Sequence, residues 1–232
     1  MPIVPRDRFP EFWGWAQYNL GSALELKVRR SGGAEGLDLL ARALAAYEAA
    51  HDVCSRAEKP DDWQVLQLRV GGVLAMLGER TEGPAGLELL ARTVEAYEVA
   101  LEVDFRGDLL RGGWATVQSN LGFALRAQGE RSGGAAGLDL LARAVAAFDA
   151  ALEVRTRADM PADWAHTQFN IALAQEARGD LSEGAAQAAH WCSAETAVLL
   201  ALEVYDPEAM AFYHEMATEA LARIRAKLAG GG

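Results

Sequence analysis

The chain has 232 residues, 51% of them hydrophobic and 24% charged, with a formal net charge of −11. That composition can bury a sizeable core and excludes a disordered chain. The acidic balance, with no basic stripe, excludes nucleic acid as the main partner and suits a basic or neutral polypeptide.

Two cysteines, Cys54 and Cys192, form no CxxC motif and no even-spaced framework, so a reducing, cytoplasmic setting is expected. The opening MPIVPRDRFPEFWGW lacks the apolar core of a signal peptide. No apolar run reaches the roughly 18 residues of a spanning helix, so no membrane partner is expected.

Internal repetition dominates the chain. Trp13, Trp63, Trp114 and Trp164 are spaced 50, 51 and 50 residues apart, and Arg30–Val53 matches Arg131–Val154 at 18 of 24 positions. These spacings set four units, at about 11–60, 61–111, 112–161 and 162–205, within one domain spanning 1–232. The fourth unit diverges after Gly179, yet its ALEV at Ala201–Val204 falls 50 residues after ALEV at Ala151–Val154.

Each unit reads as two helices. The first starts at the tryptophan, behind PDDW or PADW, where proline suits the first turn and acids complement the helix dipole. It runs to about Gly78 or Gly129, where glycine can take the left-handed cap conformation. A glycine-rich loop leads to a second helix from about Leu37, Leu87 or Leu138. In the third unit Leu138, Leu141, Val145, Phe148 and Leu152 recur at helical spacing as one apolar stripe. Asp38–Arg42, Glu88–Arg92 and Asp139–Arg143 are i,i+4 pairs expected on solvated faces. DFRGDLLRGG, before Trp114, adds a residue and loses the proline, which predicts a bend.

A capping helix is expected over about 206–229, with Asp206 as N-cap and Pro207 as first helical residue. Met210, Tyr213, Ala217, Leu221, Ile224 and Leu228 give it an apolar face to cover the last repeat. The expected total is nine helices, eight of them paired, and no strands.

The pattern resembles the tetratricopeptide-repeat (TPR) superfamily, whose unit carries W-x2-L-G-x2-Y on one helix and A-x3-F on the next. Here L-G is Leu20-Gly21 and Leu121-Gly122, with Val70-Gly71 and Ile171-Ala172 as variants. The A-x3-F element is Ala43 and Tyr47, Thr93 and Tyr97, Ala144 and Phe148, and weakly Ala194 and Val198. Pro60 and Pro161 match the proline that closes a unit. The unit departs from the usual 34 residues by an insertion of the GERSGGAAGLDLL type. Gln17, Gln67, Gln118 and Gln168 stand where the family has tryptophan. W-A-x-T-Q-x-N-L-G followed by G-E-R is similar to a long-repeat bacterial variety. The resemblance implies an all-α, right-handed α-solenoid of four helix-turn-helix repeats plus the cap, and by itself names no partner.

Helical spacing separates the two amides of WATVQSNLG. Trp114, Gln118, Leu121, Gly122 and Leu125 share one face, which predicts a packing seam with a buried, hydrogen-bonded Gln118. Asn120 lies off that face, with Thr116, Ser119 and Phe123. Its lane reads Trp15, Val65, Thr116 and His166, then Tyr18, Leu68, Ser119 and Phe169, then Asn19, Arg69, Asn120 and Asn170. In peptide-binding TPR proteins an asparagine just before L-G holds ligand backbone, so the resemblance implies that role for Asn19, Asn120 and Asn170. An amide suits a peptide bond, being donor and acceptor at once. The same asparagines could instead bridge adjacent helices. Arg69 and Arg126 could grip a carboxylate, whereas Glu25 and Glu176 would prefer a basic group. The candidate groove is thus Tyr18, Asn19, Arg69, Asn120, Phe123, Arg126, His166, Phe169 and Asn170.

Catalytic chemistry is not expected. His190 and Cys192 sit two residues apart on a helix and point apart, so with His214 they make a poor metal site. His51-x2-Cys54 shares a helical face but has no further ligand or base. A Cys54–Cys192 disulfide is not expected, as both fall on second helices of distant units. SGGAEG has neither the following Lys-Ser/Thr nor the preceding strand of a phosphate loop. The function expected is a non-catalytic, cofactor-free scaffold that binds a peptide or helix of another protein. The alternative is a homo-oligomerisation module with no separate ligand.

Overall fold

In the computed structural model, residues 5–28, 30–102 and 108–230 are described, the side chains of the third span from 112 onward. The described residues form α1 (Pro10–Val28), α2 (Gly33–His51), α3 (Pro60–Arg80), α4 (Gly83–Leu101), α5 (Asp108–Ser132), α6 (Gly134–Leu152), α7 (Pro161–Asp180), α8 (Gly184–Leu202) and α9 (Ala211–Gly230). The chain packs as two compact units, Met1–Asp104 and Phe105–Gly232. In the first, α1, α2, α3 and α4 pack each on the next; in the second, α5 to α9 do the same. Each unit is a helical-repeat stack of hairpins, the second closed by one extra helix. No described helix is long and apolar enough to cross a membrane.

The paired helices extend beyond the bounds read from the sequence. The first helices begin at Pro60 and Pro161 themselves, three residues before the tryptophan, because proline's fixed φ and missing N–H suit the first helical position. Second helices begin a turn earlier than Leu37, Leu87 and Leu138, at Gly33, Gly83 and Gly134, each with positive φ. Gly78 and Gly129 are not left-handed caps. They lie inside α3 and α5, buried, where an added Cβ would stand 2.9 Å from a leucine carbon of the partner helix (Leu90 or Leu141). The bend expected within DFRGDLLRGG falls on residues 104–107, which lie outside those described, while the remainder of the stretch forms the start of α5.

The seam of the first three hairpins is a glycine against a ring. A Cβ on Gly122 would stand 2.7 Å from Phe148, and Gly71 meets Tyr97 in the same way. In the fourth pair the positions are Ala172 and Val198, both fully buried, so the smaller partner makes room for the methyl. The buried stripe of α6 is Leu141, Ala144, Ala147, Phe148 and Ala151, while Leu138, Val145 and Leu152 sit half-buried at its margins. Gln118 is likewise half-buried. The buried amide is Gln64, which donates to the Ala100 carbonyl at 2.9 Å, and Gln67 reaches His51 Nε2 at 2.7 Å. Of the three surface pairs, Asp38–Arg42 forms at 3.6 Å, but Arg92 turns to Glu48 of α2 at 3.0 Å.

The repeated tryptophans acquire a role through arginines seven residues earlier. Arg6 stacks on Trp13 at 4.9 Å, Arg56 on Trp63 at 4.8 Å and Arg157 on Trp164 at 5.5 Å. Each guanidinium also pairs with the acid that ends the second helix of a hairpin: Asp52, Glu102 or Glu203. The clamp ties the entry of one helix to the exit of the other. The sequence carries the signal as Arg, Trp and acid at fixed offsets.

Asp206 Oδ1 accepts the backbone N–H of Glu208 and Ala209 at 2.8 and 2.7 Å, but it caps a turn; α9 starts only at Ala211. The buried residues of α9 are Ala217, Ala220 and Ile224, while Tyr213 is exposed. Thr218, Ala222, Arg225 and Ala229 are exposed along one side of it, and Phe212, Tyr213 and Met216 are exposed near its start.

Replacing Arg56 by alanine removes one cation–π contact and one exposed ion pair. We expect a loss of about 1 kcal/mol in urea melts, partly restored by Arg56→Lys and reduced at high salt.

Candidate functional site

The first unit holds a cavity of about 280 Å³ between α1, the loop after α2 and the start of α3. Ala50, Val53, Val65 and Leu66 give it an apolar wall, and Trp15, Tyr18 and Asn19 reach it from α1. Three lane positions of one helix therefore meet at one place. The Trp15 side chain is 69% exposed, and Asn19 is exposed with no hydrogen bond among the described residues. Lys59 crosses the rim to Glu11 at 3.0 Å, while Asp62 makes no ion pair among the described residues. Cys54 also lines the cavity; it lies in the loop beyond α2, not on the helix, and burial raises its thiol pKa.

Arg69 stands beside this cavity, exposed, close to Tyr18 and 3.9 Å from Glu25. Glu25 accepts the hydroxyl of buried Tyr47, whose own pKa is raised chiefly by burial and then by that carboxylate.

The remaining candidates belong to the second unit. Asn170 donates to the His166 carbonyl at 2.7 Å, a bond within its own helix, whereas Asn120 is half-buried. Phe123 is exposed and meets Phe148 edge-on; Arg126 pairs with Glu130 at 2.5 Å. Phe169 is buried beside Tyr205, and His166 packs against Tyr205 and Tyr213 with centroids 5.5 and 4.3 Å away. Burial lowers the His166 pKa, so the ring is neutral at pH 7. Arg155 takes Ser119 and Thr116 of the same lane, at 2.8 and 3.2 Å. In this lane Thr116, Ser119 and Asn170 bond internally, while the buried His166 Nε2 and Arg126 Nε have no hydrogen-bond partner among the described residues.

Glu176, a position matching Glu25, is buried and accepts Arg223 twice at 2.7 Å and Lys227 at 2.8 Å from α9. Lys227 also binds Asp180 at 2.6 Å. The basic group that Glu176 favours comes from its own chain. Burial pushes the Glu176 carboxyl up, but the two bases outweigh it and hold it below the ordinary range.

Sequence reasoning included Trp15 and Val65 in the lane but did not single them out, and it missed Glu11, Val53, Lys59 and Asp62. The available signal was the doubled tryptophan of FWGW, found only in the first repeat. Elsewhere, His190 Nδ1 lies 3.1 Å from Gln175, and both cysteines are free thiols. Among the described residues no group of three or more His, Cys, Asp or Glu could hold a metal ion.

These features define an all-α helical-repeat protein built from sequential hairpins. No protein-family model matches the chain, and no curated protein matches it.

A carboxyl with a depressed folded pKa contributes stability that is complete above its unfolded value and is lost as pH falls through the folded value. The anchor of α9 should therefore weaken below about pH 4. Arg223→Ala with Lys227→Ala strands a buried carboxylate and should cost about 3 kcal/mol at pH 7. Glu176→Gln should cost less and flatten the acid loss in thermal melts across that range.

Proposed function

We propose that this chain is a TPR-type interaction module, non-catalytic, that binds a peptide segment of another protein along its first helices. The observation that carries this reading is the Trp15 cavity. A large exposed indole, an apolar wall and an amide free of internal bonds are grouped on one surface. Buried aromatic anchors dominate binding energy at protein interfaces, and an unoccupied amide can hold ligand backbone at little reorganisation cost. In this reading Asn19 and Trp15 lead the contact, with Tyr18 and Arg69 flanking it. In the second unit Phe123 is exposed and Asn120, Arg126 and Asn170 are half-buried on its own first helices, where they offer further contacts, whereas Phe169 is buried and His166 is covered by Tyr205 and Tyr213. The net charge of −11 suits a basic or neutral segment.

Capture from extract of the native host compares wild type with Trp15→Ala and with Asn19→Ala. Both variants alter exposed side chains and should melt as wild type does. Partners retained by wild type should fall about tenfold with Trp15→Ala, as for loss of a hot-spot aromatic. An unchanged set in both variants, with light scattering showing a stable oligomer that needs Trp15, would instead establish self-assembly as the role of this surface.

A further inference from the structure

The chain solves one recognition problem three times within its described residues. An arginine guanidinium lies over an indole and pairs with a carboxylate: Arg6, Trp13 and Asp52; Arg56, Trp63 and Glu102; Arg157, Trp164 and Glu203. The Trp15 cavity holds two of the three components. Trp15 has no cation over its ring among the described residues, and Asp62 lines the same cavity with no ion pair of its own. Lys59 does not fill the gap, since Glu11 takes its ammonium at 3.0 Å. With Lys59 matched by Glu11, Asp62 leaves the lining one negative charge in excess.

We propose that the cavity is a site for one arginine side chain of a partner peptide. The guanidinium stacks on Trp15 and pairs with Asp62, and the aliphatic stem lies along Val53, Val65 and Leu66. Asn19, at the cavity edge, holds the adjoining backbone. Arginine fits better than lysine because its planar fork stacks and pairs at once, whereas an ammonium is a strongly hydrated point charge. An acidic side chain would meet Asp62 and Glu11 in the field of a strongly acidic chain. This inference rests on the peptide-binding reading and specifies the chemistry of its ligand.

Cys54 provides a reporter, because it lines the cavity, and exposed Cys192 serves as an internal control. The probes are an acetylated Gly-Arg-Gly-Arg-Gly amide and its citrulline counterpart, which keeps shape and loses charge. Alkylation of each cysteine by N-ethylmaleimide is followed by mass spectrometry on the full chain. The arginine peptide should slow Cys54 about threefold once it exceeds its dissociation constant severalfold, with Cys192 unaffected. The citrulline peptide should not slow it. Trp15→Ala, which leaves net charge unchanged, and Asp62→Asn should each abolish the protection while the thermal melt stays as in wild type. Equal slowing by both peptides, protection that survives Trp15→Ala, or no protection by the arginine peptide overturns the proposal. If the arginine peptide fails while host-partner capture still needs Trp15 and Asn19, only the ligand chemistry is wrong. If capture is indifferent to both residues, the peptide-binding reading itself fails.

Discussion

Two helices can lie side by side only as closely as the atoms between them allow, and in these hairpins one position sets that distance. At Gly21, Gly71 and Gly122 an added Cβ would stand 2.7 Å from a ring atom of Tyr47, Tyr97 or Phe148. The ring occupies the space a side chain would need, which brings the two backbones together and buries the aromatic completely or nearly so. Lateral residues then fall into place around this contact. Ala43, Ala46 and Ala50 in α2, and Ala144, Ala147 and Ala151 in α6, are buried along this close approach, and Thr93 of α4 is buried at the position matching Ala43 with its hydroxyl on the Leu89 carbonyl. Glycine's cost in a helix interior, about 1 kcal/mol relative to alanine, is offset by the apolar area of the buried ring.

The polar interactions act at the edges of this seam. Arginine, tryptophan and carboxylate join the loop before one helix to the end of another, where hydrophobic packing thins out. Gln64 and Gln67 satisfy a helix-end carbonyl and a histidine held neutral by burial in the first unit. In the second unit Glu176 binds α9 through two bases. These bonds satisfy groups that burial would otherwise leave costly, and they fix how the elements meet more than they add to stability.

The Trp15 cavity differs from the matching positions of the other repeats. At His166 the corresponding surface is covered by Tyr213 and Tyr205, and at Thr116 it is tied by Arg155. At Trp15 an indole, an amide and a carboxylate have no such covering.

Much of the fold was legible in one dimension. Tryptophan spacing, the glycine before each aromatic and the acid–proline starts locate four hairpins and a closing helix, because helix periodicity and hairpin packing impose local, repeating demands on residue size. Boundaries were less legible: Gly78 and Gly129 look like caps until their packing against Leu90 and Leu141 is seen. The site was legible only in part. Sequence places Trp15, Tyr18, Asn19 and Val65 in repeated lanes, but cannot tell which lanes are already satisfied, since that depends on partners distant in sequence. Arg155 reaching Ser119, Arg223 reaching Glu176 and Tyr213 covering His166 are such choices. The sequence by itself determined the helices, their pairing and the repeated seam; tertiary structure decided which groups remain open to a partner. Desolvation and hydrogen bonding are settled by neighbours in space, and repeat spacing alone does not specify them.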